Sequence, residues 1–112
     1  SEKITQAKSK TMELELMKSQ LSDQVKLQVN KSYQQFVVAK QKINVFRNSI
    51  QQVSENYKIV ESKYKNNLAT VQELLDADVL QFQAKVQYEF AKADATIAYY
   101  HLLQVSNQFK FN

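Results

Sequence analysis

Not one of the 112 residues is glycine or proline. Turns and loops lean on those two residues, glycine for positive φ and proline for a pre-set φ. A chain lacking both has almost no loops to build and must consist of long regular elements. Helix suits it better than strand. Lys, Gln, Glu, Ala and Leu, all good helix formers, make up about half of the chain, and its aromatic and β-branched residues do not alternate. An apolar share of 44% can support a core, and the length suits one domain.

The hydrophobic period then says how the helices are used. From Val25 through Val29, Ser32, Phe36, Ala39, Ile43, Phe46, Ile50, Val53, Tyr57, Val60 and Tyr64, steps of four and three follow one another, with Lys, Gln, Asn and Glu between. That is the a/d seam of a coiled coil, and only the small Ser32 is polar in it. Upstream, Leu14, Met17 and Leu21 keep the stripe going, but Leu21 to Val25 to Val29 makes two successive steps of four, a stutter that locally unwinds a supercoil. A first helix over about residues 3 to 65 would be ~90 Å long.

The stripe stops at Asn66-Asn67, the only adjacent asparagines. Asparagine is the non-glycine residue that best tolerates the left-handed conformation ending a helix. Thr70 with Glu73 three positions on is a capping box that opens a new helix. One tight turn is therefore expected at about residues 66 to 69, followed by a helix over about 70 to 106. That second helix carries two stripes. One runs Leu74, Ala77, Gln81, Ala84, Tyr88, Ala91, Ala95, Ala98, Leu102, Val105, with alanine every seven residues for close helix approach. The other runs Leu75, Val79, Phe82, Val86, Phe90, Ala93, Ile97, Tyr100. Two stripes imply two neighbours, and a lone hairpin supplies one. The expected fold is all-α, a long antiparallel coiled-coil hairpin. Counting from the turn puts Val60 and Tyr64 against Leu74 and Leu75, puts Phe36 or Ala39 near Ala98, and leaves the residues before Val25 overhanging.

Several function classes lose support at this point. Without cysteine there are no disulfides or thiolate metal sites. The net charge of +4, from 15 basic and 11 acidic residues, is mild and interspersed, and the lysines Lys8, Lys10, Lys18, Lys26, Lys31, Lys40 and Lys42 spread around the first helix as a solvated face. Nucleic acid is therefore not an expected partner. His101 is the only histidine and has no carboxylate one helical turn away, so no metal or cofactor is implied. With no loops to form a pocket, catalysis by the Glu73 and Asp76 carboxylates is not expected. No apolar run approaches the ~18 residues of a membrane span. Opening in mid-pattern at Ser1-Glu2-Lys3, the sequence reads as a piece of a longer chain.

The segment YKNNLATVQELLDAD, from Tyr64 to Asp78, resembles the periplasmic tip of the TolC-like outer membrane efflux proteins. There an aromatic residue, a short turn with Gly, a Thr and a Leu-Leu-Asp-Ala run follow one another. Leu80 to Ser106, LQFQAKVQYEFAKADATIAYYHLLQVS, is similar to that family's ascending helix, with its recurrent Ala and a Leu-Leu pair before a small residue. Asn67 and Asn107 stand where the family usually has Gly. The resemblance implies a piece of a periplasmic α-helical barrel, part of a bacterial outer membrane channel for drug efflux or type I secretion. The intact protein would be a homotrimer working with a periplasmic adaptor protein and an inner-membrane pump.

It also implies roles at the tip. Tyr64, Lys65, Asn66, Asn67, Leu68, Ala69 and Thr70 would form the surface an adaptor meets, and Glu73 and Asp76 would line the entrance. Plainer readings stand beside these. Tyr64 can be the last core residue of the seam, and Leu68 can close the helix end by a hydrophobic contact. Glu73 and Asp76 can simply favour the positive end of their helix. Two alternatives compete for the whole chain: the hairpin of a periplasmic adaptor, which would carry an arginine-and-leucine tip signature, and a generic coiled-coil scaffold. In isolation the chain is expected to self-associate through its second stripe and its overhang.

Overall fold

Two helices account for nearly the whole chain. The computed structural model describes residues 1–110, and for residues 109 and 110 the backbone alone. Helix α1 spans Glu2–Lys65 and helix α2 spans Val71–Lys110, with no strand among the described residues. They form a hairpin with extents of 98 × 19 × 13 Å and a radius of gyration of 26.8 Å. A globular chain of this length would have about 13 Å, so the molecule is a rod held by one helix lying along the other.

Local chemistry explains each terminus. Ser1 caps α1, its hydroxyl accepting from the Ile4 amide at 3.4 Å. At the far end the Leu68 amide donates to the Lys63 carbonyl at 2.7 Å and the Asn67 amide to the Tyr64 carbonyl at 3.1 Å. These are the two bonds of a Schellman motif, which needs a left-handed residue just past the helix. Asn67 supplies it at φ 62°, the one positive-φ residue among those described. The Asn66 side-chain amide adds a bond to the Ser62 carbonyl at 3.0 Å. Across the turn, Thr70 and Glu73 close the capping box reciprocally. The Glu73 amide donates to Thr70 Oγ1 at 3.1 Å, and the Thr70 amide donates to Glu73 Oε2 at 2.9 Å. Ala69 and Leu74, both half-buried, occupy the positions of a hydrophobic staple around that cap.

The heptad residues of α1 from Val25 to Val60 are all buried or half-buried, as are all ten of the first α2 stripe. Burial is uneven along the seam. Ala77, Ala84, Ala91, Ala95 and Val105 of α2 are buried, whereas Phe36, Ile43, Phe46, Ile50 and Tyr57 of α1 are only half-buried. A small side chain disappears beneath a facing helix, while a large one on a two-helix rod keeps its flanks in water. The alanines thus set the close approach and the large α1 residues cover them. Ser32 is buried at a seam position, and no buried side-chain polar atom among the described residues lacks a partner.

Register is symmetrical about the turn. The Phe36 and Tyr99 rings lie 5.5 Å apart, Arg47 sits 5.8 Å from the Tyr88 ring, and Asp78 acts electrostatically on Tyr57. Each pair is equidistant from the peptide bond between Asn67 and Leu68, so the helices run from end to end without a slip. Ion pairs do not set this register. The two formed among the described residues, Lys65–Glu61 at 3.5 Å and Lys92–Glu89 at 3.0 Å, are exposed and lie within one helix. Each contributes at most a few tenths of a kcal/mol.

Three details depart from the sequence reading. Leu75 lies outside the seam and is exposed, leaving Leu74 to meet the level of Val60. Tyr64, the last heptad residue, is also exposed, because it stands level with Val71, the very first residue of α2, and has no helix to cover it beyond that point. Helix α2 continues through Asn107 to Lys110, since neither glycine nor proline is present to stop it. The overhang is as expected: no residue before Ser22 is even half-buried, and Leu14, Met17 and Leu21 lie open.

Candidate functional site

A rod two helices thick has no enclosed interior, so its chemistry is a matter of surfaces. Among the described residues no group of three or more His, Cys, Asp or Glu side chains is placed to hold a metal ion. Among the described residues, too, no helix is long and apolar enough to cross a membrane. Three surfaces remain: the tip, the outer face of α2, and one flank of the hairpin.

The tip gathers Tyr64, Lys65, Asn66, Asn67, Leu68, Ala69 and Thr70 at one end of the rod. All are exposed except Ala69, which is half-buried. Leu68 is decisive here. A Schellman motif is normally accompanied by an apolar contact from the residue in its place to the third or fourth residue from the helix end. Those positions are Lys63 and Ser62, which offer no apolar partner, and Leu68 is 76% exposed, more than any other large apolar residue described. Its side chain therefore does not close the helix; it projects from the end of the rod. Glu73 is already engaged by the Thr70 amide, while Asp76 accepts from Gln72 Nε2 at 2.8 Å and stays exposed. Both acids lie in the opening turns of α2, where the helix dipole favours them.

The second α2 stripe lies bare. Leu75, Val79, Phe82, Phe90, Ile97 and Tyr100 are exposed, Phe82 at 69%, and only Val86 is half-buried. The row is ~38 Å long at the helical rise. Lone apolar side chains on a surface need no explanation, but a continuous row of this length marks a binding face.

The flank was not singled out by sequence. Val38, Val45 and Ile59 are exposed on α1, each two residues beyond a seam position, and Val38 and Val45 line an open groove with Phe90 of α2. The seven-residue interval between them was the available signal, but the stronger seam alongside masked it. One titratable group beside these surfaces is perturbed, Tyr57. Its phenol is held above the usual range, chiefly by a hydrogen bond to the Glu61 carboxylate, then by desolvation and by the charges of Glu61 and Asp78. The tyrosine is a half-buried member of the seam, so its environment follows from packing.

Taken together, the geometry presents an apolar tip residue, an uncovered apolar row and a grooved flank on a rigid rod, which suits protein assembly. No family model, curated protein or solved structure matches the chain.

Proposed function

We propose that this hairpin is an assembly segment of a periplasmic helical barrel of the TolC-like outer membrane efflux type, whose tip docks an adaptor protein. The observation that supports it is the uncovered second row on α2. In a closed ring of helices each member has a neighbour on either side, and within the hairpin α2 has one. The exposed Leu68 fits the same reading, as an apolar contact at the surface where an adaptor tip would dock. Tyr64 to Thr70 would meet that partner, with an inner-membrane pump beyond it. Of the two acids at the entrance, Asp76 would carry most of the available charge, because Glu73 is engaged in its cap.

In-cell photo-crosslinking from position 68 of the parent chain tests this. The expected product joins the chain to a periplasmic protein whose own helical hairpin is flanked by a lipoyl-like β domain. Fractionation should place the parent chain in the outer membrane. A chain found in the cytosol, or one crosslinked at position 68 to a protein without such a hairpin, would overturn the channel reading.

A further inference from the structure

The grooved flank has a charge pattern that selects its occupant. Three charged residues line the groove, Lys31 and Lys42 on α1 and Asp94 on α2. Lys42 and Asp94 stand within one residue of the same distance from the turn. Yet they form no ion pair within the hairpin; the pairs among the described residues are Lys65–Glu61 and Lys92–Glu89. Above and below them sit two exposed apolar levels, Val38 with Ile97 and Val45 with Phe90, each pair equidistant from the Asn67–Leu68 bond.

We infer that this flank binds a second copy of the chain, with both tips pointing the same way, to form a four-helix bundle. Two hairpins can lay the flank together in two orientations. With tips together, a two-fold axis runs along the rod, α1 of each copy lies on α2 of the other, and residues level with each other meet. Val38 then packs on Ile97 of the second copy and Val45 on its Phe90. Lys42 meets Asp94, twice over by symmetry, and Lys31 meets the uncharged Gln104. With tips opposed, α1 lies on α1 and α2 on α2. In the register that brings the apolar levels together there, Val38 on Val45 and Phe90 on Ile97, the axis passes through the charged level and sets Lys42 against Lys42 and Asp94 against Asp94. Like charges so placed disfavour the contact, and the complementary arrangement prevails. The inference rests on the hairpin alone and not on the channel reading.

The contact is small. The groove covers residues 31 to 46 of α1, ~24 Å at the helical rise, across a rod 19 Å wide. That is about 450 Å² per copy, or roughly 900 Å² in total, below the range of stable interfaces and in that of weak, transient contacts.

The absence of native cysteine makes the test direct. Val45→Cys and Phe90→Cys are prepared as separate chains; both positions are exposed, so folding should tolerate the changes. On oxidation, the mixture of the two should give a disulfide-linked dimer more readily than either chain alone. Sedimentation equilibrium should show Lys42→Asp weakening association roughly tenfold, since two pairs become two repulsions, and Lys42→Asp with Asp94→Lys restoring it. Preferential crosslinking of Val38→Cys with Val45→Cys would assign the tips-opposed dimer and overturn the proposal. So would an affinity unchanged by Lys42→Asp, or a hairpin still monomeric at millimolar concentration.

Discussion

Ala84 is the point at which the seam can be strained most directly. It is 3% exposed and lies seven residues from both Ala77 and Ala91, which are equally enclosed. Replacing it with leucine adds three carbons. If the seam had room, their burial would stabilise the hairpin by ~2.4 kcal/mol, at about 0.8 kcal/mol per methylene. There is no room beneath α1 at that depth, so Ala84→Leu must push the helices apart and loosen the neighbouring alanine layers as well. Overpacking of this kind costs about 1–3 kcal/mol net. Taking the middle of that range, the melting temperature should fall by roughly 8–16 °C. The assay is thermal unfolding followed by circular dichroism at low micromolar concentration, where association is negligible. Ala93→Leu, on the exposed outer face of α2, serves as control. Helix propensity barely differs between the two residues, and a surface change should stay within ~0.5 kcal/mol. If Ala84→Leu melted at or above the parent temperature while Ala93→Leu was neutral, the seam would have slack and the close-approach argument would fail.

Phe46→Ala should destabilise the hairpin by roughly 3 kcal/mol in urea unfolding, the low end for a phenylalanine because the ring is half-buried. Lys40→Ala should cost no more than ~0.5 kcal/mol, since its ammonium only lies 5.4 Å from the Phe36 ring at the surface; equal losses would mean the stripe is not the core. Thr70→Ala removes the acceptor for the Glu73 amide and should cost about 1 kcal/mol by the same assay, whereas no change would show the capping box to be idle. At φ 62°, Asn67→Gly should leave stability equal or higher and Asn67→Val should lower it by at least ~1 kcal/mol; a tolerated valine would contradict the left-handed turn. Because the Tyr57 phenol is raised in the folded state by Glu61, its contribution to stability is intact below the ordinary tyrosine range and is lost as pH rises through the shifted value. Carbon NMR titration should show Tyr57 ionising later than an unperturbed tyrosine, and Glu61→Gln should bring it back; an unmoved midpoint would reject the assigned cause.

The one-dimensional pattern carries most of this fold because a hairpin is nearly one-dimensional. A heptad repeat states which face of each helix is covered, and the seam from Val25 to Val60 lies where its spacing puts it. Turn chemistry is equally local. Asn67 in the left-handed region and the Thr70–Glu73 box involve residues within a few positions of one another, so their signals survive in sequence. With a single turn, counting outward from it determines the register, and the overhang before Val25 follows from the unequal helix lengths.

Only the tertiary structure decided matters that depend on how far apart two helices lie and how each is rotated. Which residues of the seam become fully buried is one, since alanine vanishes under a facing helix while Phe36 and Phe46 keep one side in water. Another is Leu68, whose closing contact fails because Lys63 and Ser62 stand where an apolar partner would be needed. The flank is a third. Val38 and Val45 belong to α1 and Phe90 and Ile97 to α2, and no spacing within either helix says that they share one side of the rod. That relation comes from the rotation of each helix about its own axis, fixed by the packing of the alanine layers and absent from the order of residues along the chain.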